Sequence, residues 1–294
     1  YPAGVAWSFW QAGYEINGMQ AVYTSDVPVG AGLSSSAAVE VTFAMAWQAL
    51  GGWEADRMTI ARMCQKAENL YVGVNCGLMD QYASVHGQAG HCLYFDTRSL
   101  DWEAVPLPTG TAIMVADSGI RRSLSNSAYN ERRASCEEAV RLLRQYLPEL
   151  RALRDISPVE FAAYSEFLPQ GVRKRADHVV HEIARVHSAV TALRREDIQA
   201  FGALMYAGHA SLRDLYEVSI PELDTLVEIA RNQPGCIGAR LTGAGFGGCT
   251  VNLVEENQAA QFIQGLEEGY RRRTGREAQV YLCRASQGAS AQRL

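Results

Sequence analysis

The spacing of apolar residues along the chain predicts a mixture of helices and strands. The stretch from Ser35 to about Ala49 is apolar nearly all round, which is typical of a buried helix, and Gly51 and Gly52 end it. By the same criteria the first part of the chain contains further helices over about 54–71 and 75–85, and strands over 21–25, 91–96 and 102–106.

The second part of the chain is dominated by long charged helices. Its predicted helices run over about 127–146, 171–195, 196–214 and 221–232, and its predicted strands over 111–116, 236–242, 249–254 and 278–283, with one more helix between the last two strands. Pro106-Leu107-Pro108 is the best candidate for a domain boundary. Because helices and strands do not alternate strictly, we expect an α+β fold with two domains, residues 1–107 and 108–294.

Composition narrows the class of protein. The chain has 294 residues, of which 48% are hydrophobic and 20% charged, and its net charge is −5, so a nucleic acid or an anionic membrane is not an expected partner. No apolar run is long enough to cross a membrane. The seven cysteines are odd in number and contain no C-x-x-C pair, which favours reduced thiols and a cytoplasmic protein.

A loop rich in glycine and serine is the strongest local feature. Pro28-Val29-Gly30-Ala31-Gly32-Leu33-Ser34-Ser35-Ser36 leads directly into the first long helix. Free N–H groups at a helix start, together with serine hydroxyls, form an anion site, and Ser36 could also offer its oxygen to magnesium. The alternative is an ordinary loop with a helix cap.

Two familiar phosphate loops are excluded. A Walker A loop needs Gly-Lys-Ser/Thr, and a Rossmann fingerprint needs a third glycine where Ser35 stands. The loop supplies no cation, so a transferring phosphoryl group would need magnesium and an Arg or Lys from elsewhere.

Two carboxylates and a second glycine cluster are weaker candidates. Asp80 lies in an apolar stretch and Glu68 on the preceding helix, so one could hold magnesium while the other accepts a hydroxyl proton; a solvated or capping role is the alternative. The cluster Thr242–Cys249 has four glycines in six residues, which suits either a close ligand or a tight connection between strands.

Three of these stretches together resemble one family. Pro28–Glu40 (PVGAGLSSSAAVE) resembles the phosphate-binding motif of the GHMP small-molecule kinases, and Cys76–Gln81 (CGLMDQ) and Thr242–Cys249 (TGAGFGGC) resemble the galactokinase versions. The resemblance extends over nearly the whole chain. It implies the two-domain GHMP architecture, with ATP and sugar in a cleft between the domains and a last strand that returns to the N-terminal domain.

The resemblance also implies a role for each matching residue. Asp80 would be the catalytic base facing the anomeric hydroxyl of galactose, Ser36 and Glu68 would hold Mg²⁺, and Gly77 and Tyr129 would position the sugar with Asp80. A weaker implication concerns Arg121, near the sugar-side loop. The ATP phosphates would be bound by Gly30, Ala31, Gly32, Leu33, Ser34, Ser35 and Ser36.

One departure from the family pattern is large. Galactokinases carry near their N-terminus a Gly-Arg-Val-Asn-x-x-Gly-Glu-His-x-Asp-Tyr motif that supplies sugar-binding acids and an arginine, and this sequence lacks it. We therefore expect a galactokinase without its N-terminal third, weakly active or inactive alone, for which the missing segment is a partner. The alternatives are a non-catalytic galactose sensor, which the pair Ser36-Ala37 disfavours, and a kinase for a related sugar such as N-acetylgalactosamine.

Overall fold

The computed structural model describes residues 1–121 and 125–292, and the side chains of 125–127 are not included. Contacts divide the chain into two compact units. The first unit contains Tyr1–Val29, Leu33–Leu107 and Arg284–Leu294, and the second contains Gly30–Gly32 and Pro108–Cys283. The chain therefore passes from one unit to the other between Leu107 and Pro108.

The first unit is a helical layer with one hairpin. Its elements are α1 (Pro2–Gln11), α2 (Ser35–Gly51), α3 (Arg57–Lys66), a π-helical segment (Ala67–Val72), α4 (Met79–His86), β1 (His91–Phe95) and β2 (Trp102–Pro106). Strands β1 and β2 are antiparallel. Apolar residues at helical spacing on α1, α2, α3 and α4, among them Phe9, Val41, Ile60 and Tyr82, form a single core.

The structure corrects several predictions for this unit. Residues 21–25 form no strand, and Val22 and Tyr23 are exposed, because no strand among the described residues pairs with them. The helix predicted from residue 54 begins at Arg57, since Asp56 caps it by accepting the Thr59 N–H at 2.9 Å. The helix predicted from residue 75 begins at Met79, and α1 was not predicted.

The second unit is a four-stranded antiparallel sheet with helices. Its strands are β3 (Thr111–Asp117), β4 (Cys236–Leu241), β5 (Cys249–Glu255) and β6 (Gln279–Cys283), in the order β4-β5-β3-β6. Its helices are α5 (Ser125–Leu143), α6 (Pro158–Tyr164), α7 (Gln170–Arg194), α8 (Ile198–Ser211), α9 (Pro221–Arg231) and α10 (Ala259–Thr274). Shorter helical turns are Leu153–Asp155, Ser165–Phe167, Leu212–Tyr216 and Glu256–Gln258. Leu226, Leu241, Phe262 and Leu266 lie in its core.

The last strand belongs to the second unit, and the segment after it belongs to the first. Strand β6 pairs with β3, and the chain then contacts the end of α4. The Gly288 N–H donates to the Gly87 carbonyl at 2.7 Å, and the Ala289 N–H to the Ser84 carbonyl at 2.8 Å. A Cβ on Gly288 would lie 2.2 Å from the Val85 carbonyl oxygen, so this close approach requires glycine.

No helix in the described part of the chain is long and apolar enough to cross a membrane.

Candidate active site

The glycine-serine loop has a backbone conformation that depends on its glycines. Gly30 and Gly32 have φ of 73° and 77°, and Ser34, at the N-cap of α2, has φ of 60°. Such left-handed angles are open to glycine but unfavourable for other residues. Ser34 is therefore held in an unfavourable conformation at the start of the helix, a feature that concentrates at ligand-binding sites.

The start of α2 is not capped by its own side chain. The Ser34 hydroxyl accepts no hydrogen bond from the first turn, and the first backbone bond into the helix is the one from Ala38 N–H to the Ser34 carbonyl at 3.0 Å. The backbone N–H groups before Ala38, at the start of α2, thus remain available as hydrogen-bond donors. This observation disfavours the ordinary-cap interpretation and suits an anion.

Within the second unit, the middle of the loop is fixed by packing. Ala31 is completely buried, and its carbonyl oxygen accepts a hydrogen bond from the Cys249 thiol at 3.1 Å. Arg121 lies nearby: a Cβ on Gly30 would lie 3.7 Å from Arg121 Cδ. The Arg121 guanidinium is half-exposed and pairs with buried Asp117 at 2.8 Å, so a cation held by an ion pair lies on the side chain next to Gly30.

In the first unit, two buried carboxylates share one amide. Glu68 lies on the π-helical segment and is 6% exposed, and Glu40 lies on α2 and is 0% exposed. Gln81 Nε2 is 2.6 Å from Glu68 Oε2 and 3.0 Å from Glu40 Oε2. The structure thus brings the predicted metal ligand Glu68 together with the residue after Asp80.

The electrostatics of this group follow from burial. Burial raises the pKa of Glu40 to about 7, against a partial opposing effect of the Gln81 hydrogen bond, and the charge of Glu68 raises it further. The Cys76 thiol lies 3.4 Å from Glu68 Oε2, and burial with the charge of Glu68 raises the pKa of Cys76 to about 12. Cys76 is therefore protonated at neutral pH and is not a nucleophile.

Asp80 lies in the first turn of α4 and is half-buried. Among the described residues its carboxylate has no hydrogen-bonding or ion-pairing side chain, whereas its carbonyl accepts from Ser84 Oγ at 2.9 Å. Gly77 lies just before this helix, and a Cβ placed on it would meet no atom within 4 Å. No side chain in the described part of the chain thus competes with a ligand for the Asp80 carboxylate, and the space beside Gly77, three residues earlier, is open.

Tyr129 lies on α5 in the second unit and is 39% exposed. On the same helix, Arg132 donates to the carbonyls of Tyr216 and Glu217 at 2.7 and 2.9 Å. The phenol of Tyr129 therefore projects from a helix that is anchored to the end of the turn Leu212–Tyr216.

The second glycine cluster is a tightly packed connection between β4 and β5. A Cβ on Gly245 would lie 2.2 Å from the Val218 carbonyl oxygen, and one on Gly247 would lie 2.8 Å from the Ile120 carbonyl oxygen. Phe246, between them, has φ of 57° and donates its N–H to Val218 at 2.7 Å. Close backbone approach explains these two glycines without a ligand.

A cavity of about 500 Å³ lies elsewhere in the first unit. It is lined by Arg57, His86 and Trp102 together with residues of the C-terminal segment, and it includes none of the predicted site residues. The chemistry-bearing group around Glu68 and Asp80 is thus separate from this cavity.

Sequence reasoning missed Glu40 and Gln81 as members of the site. Glu40 ends the motif Pro28–Glu40, and a lone acid in an otherwise apolar helix is itself a signal of a buried carboxylate. Gln81 carries no charge and has no such signal, since only the fold shows that its amide reaches two acids.

Two known families match this chain, one over its first part and one within its second half. The family described as "GHMP kinases N terminal domain" matches residues 1–88, and "GHMP kinases C terminal" matches residues 189–272. A mevalonate kinase of L. major, 22% identical, has a TM-score of 0.57 over 88% of this chain and 67% of that one, which shows a shared fold.

Galactokinases are much more similar. The galactokinase of Roseiflexus sp. is 49% identical over 98% of this chain and 74% of its own length, and that of Bacillus subtilis is 39% identical over 98% and 75%. The crystal structure of Lactococcus lactis galactokinase complexed with galactose is 34% identical, covers 97% of this chain and 74% of that chain, and has a TM-score of 0.89. The α+β two-domain expectation is confirmed, and the chain belongs to the GHMP kinase family and, within it, to the galactokinases.

Proposed function

We propose that this chain transfers the γ-phosphoryl group of ATP to the anomeric hydroxyl of galactose, giving galactose 1-phosphate. The observation that carries the proposal is the Asp80 carboxylate, which has no side-chain partner in the described part of the chain. Asp80 lies directly before Gln81, which donates to Glu68, in a chain of the galactokinase family. Galactose is favoured over N-acetylgalactosamine and over a sensor function because the relatives named above are galactokinases.

The reaction needs a base at the sugar. Asp80 accepts the proton of the anomeric hydroxyl as the bond from that oxygen to the γ-phosphorus forms and the bond to the β,γ-bridging oxygen breaks. The open space at Gly77 suits the approach of the sugar, and the Tyr129 phenol is a hydrogen-bonding partner for it. By the family resemblance, Asp80 activates the acceptor, and Gly77 and Tyr129 each contribute to positioning it.

The phosphates need donors and neutralising charge. The uncapped start of α2 and the residues Gly30 to Ser36 donate hydrogen bonds to the ATP phosphates. The donor set fits magnesium, since Glu68 is a hard carboxylate ligand held within a buried cluster and Ser36 is a hydroxyl in the first turn of α2. When bound, Mg²⁺ neutralises charge that develops on the transferring phosphoryl group.

The proposed reaction also needs sugar-binding groups from an N-terminal segment. By resemblance, the arginine and acids that clamp the sugar in galactokinases belong to an N-terminal motif that is absent from these 294 residues. We infer that this segment is needed for efficient turnover.

The test compares two proteins on a panel of sugars. The 294-residue chain, and the same chain fused behind the N-terminal segment of the Roseiflexus relative, are incubated with ATP and galactose, N-acetylgalactosamine or glucose, and sugar phosphate is measured. We expect a weak or undetectable rate for the chain alone and a rate with galactose at least tenfold above the other sugars for the fusion. A fusion that prefers another sugar, or binds galactose without turnover, would contradict the proposal.

A further inference from the structure

Glu40 is a buried acid to which the proposed reaction gives no role. It is completely buried on α2, and its Oε2 accepts a hydrogen bond from Gln81. Its Oε1 is buried and has no hydrogen-bond partner among the residues that the structure describes. A carboxylate so placed destabilises the fold, because it loses water without gaining a full set of partners. Neighbours on the same helix, such as Val41 and Ala44, are ordinary core residues.

The amide of Gln81 connects this acid to Glu68. An amide nitrogen carries two N–H groups, and here both are used, one toward each carboxylate, at 3.0 Å and 2.6 Å. If the amide group were rotated by 180°, its oxygen would face two carboxyl groups and both hydrogen bonds would be lost. Hydrogen bonding therefore determines the orientation of the amide. Gln81 thus cannot rotate without losing both bonds.

Glu68 is correspondingly restrained. Its Oε2 receives the Gln81 N–H, and the Cys76 thiol lies 3.4 Å from the same atom. Neither group is charged, so neither takes the place of a cation at Glu68, and both hold one of its oxygens in position.

We propose that Glu40 is a positioning residue for magnesium, which orients the Glu68 carboxylate through the Gln81 amide. The proposal rests on the assignment of Glu68 as a magnesium ligand. A metal-ligating side chain is often oriented by a second residue that hydrogen-bonds to it without touching the metal. Removing that second residue typically lowers metal affinity about 10- to 100-fold. Glu40 would therefore act on the metal although it never touches it.

The structure separates this role from a purely structural one. Glu40→Gln keeps the shape of the side chain and removes an incompletely partnered charge beside Glu68, so the melting temperature should not fall. The same change frees Gln81 to rotate, because the two amides can now exchange partners. We expect metal affinity to fall while thermal stability holds, a combination that a structural role does not produce.

The experiment titrates MnCl₂ into the 294-residue chain saturated with ADP and reads free Mn²⁺ by electron paramagnetic resonance. We expect Glu68→Gln to abolish tight binding, and Glu40→Gln and Gln81→Leu each to weaken it at least tenfold. ADP affinity without metal should stay within twofold. Glu182→Gln, which removes a largely buried carboxylate of the second unit, is the matched control and should leave Mn²⁺ affinity unchanged.

A double variant tests the route through Gln81. If Glu40 acts only through this amide, Glu40→Gln combined with Gln81→Leu should bind Mn²⁺ no more weakly than Gln81→Leu alone. Additive losses would overturn the proposal, as would an unchanged affinity in Glu40→Gln when Glu68→Gln loses binding. If Glu68→Gln binds normally, the magnesium assignment of Glu68 itself is wrong. Should Glu40→Gln fail to fold, Glu40→Asp replaces it, with the same tenfold loss expected.

Discussion

Gln81 Nε2 lies 2.6 Å from Glu68 Oε2, a short hydrogen bond between a neutral amide and a buried carboxylate. The bond joins α4, which begins within the motif Cys76–Gln81, to the π-helical segment before it. Because Asp80 directly precedes Gln81, one stretch of chain carries both the proposed base and the group that orients the proposed metal ligand. The bond thus joins two positions that lie 13 residues apart in the sequence.

The pKa of Glu40 predicts a pH dependence of stability. It is near 4.5 in the unfolded chain and about 7 in the folded protein, so between these values the folded state holds the extra proton. The free energy of unfolding should therefore fall as the pH rises from about 4.5 to 7, by up to about 3 kcal/mol from this group. Urea denaturation of the parent and of Glu40→Gln should show the difference, with the variant more stable at pH 8. A parallel pH dependence of the two proteins would contradict the pKa assignment.

His178 should contribute a dependence of the opposite sign. It is 5% exposed and its Nδ1 lies 2.8 Å from Ser211 Oγ, and burial lowers its pKa to about 4. Because the unfolded chain binds a proton between pH 6.5 and 4 and the folded protein does not, stability is lost as the pH falls through this range, by about 3 kcal/mol at most. His178→Gln should be less sensitive to acid between pH 6.5 and 4 than the parent when both are followed by circular dichroism. An equal loss in both proteins would assign the acid sensitivity to other groups.

Ser34 should contribute to nucleotide binding and little to the stability of the fold. Its hydroxyl does not cap α2, so Ser34→Ala should change the free energy of unfolding by less than about 0.5 kcal/mol. Ser157 is the matched control, since its hydroxyl accepts the Glu160 N–H at 3.2 Å and caps α6, and Ser157→Ala should cost about 1 kcal/mol. Calorimetric titration with ATP should show weaker binding for Ser34→Ala only. A Ser34→Ala variant as destabilised as Ser157→Ala, with normal ATP affinity, would restore the simple cap interpretation.

A substitution at Gly245 tests whether the second glycine cluster is required for close packing of the backbone. Gly245→Ala places a methyl group 2.2 Å from the Val218 carbonyl oxygen and should destabilise the protein by about 3 kcal/mol or more. Gly275 has a similar φ of 70° but no atom within 4 Å of a Cβ, so Gly275→Ala should cost only about 1 kcal/mol. Thermal melting of both variants measures the difference. Equal losses would show that backbone conformation alone requires Gly245.

The elements of this fold differ in how much of them local sequence determines. The sequence predicts helix α2 and strands β3, β5 and β6 to within a few residues of their bounds. The reason is that the spacing of apolar residues in these segments follows directly from the burial of their faces. Residues 21–25 have the composition of a strand, but a strand also needs a partner, which composition does not encode. Helix α1 begins at the second residue and offered too little preceding sequence for a cap signal.

The motif residues of the proposed site come from the sequence, whereas the contacts between them come only from the fold. The roles of Glu68, Asp80 and the run Ser34 to Ser36 stay predictions, and the uncapped start of α2 leaves room for an anion there. The bridge from Gln81 to Glu40 spans 41 residues and depends on the packing of α4 against α2. Tertiary contacts of this kind leave no periodic signal.

The most direct test of the account concerns Asp80. In the fusion protein with the N-terminal segment of the Roseiflexus relative, Asp80→Asn is compared with the parent and with Asp101→Asn, which changes an exposed acid of the same unit. The rate constant for galactose 1-phosphate formation is measured at saturating ATP and galactose, and ATP affinity is measured by titration. We predict a loss of about 10²- to 10⁴-fold for Asp80→Asn with ATP affinity within twofold of the parent, and no loss for Asp101→Asn. An Asp80→Asn rate comparable to that of the parent would contradict the assignment of Asp80 as the catalytic base.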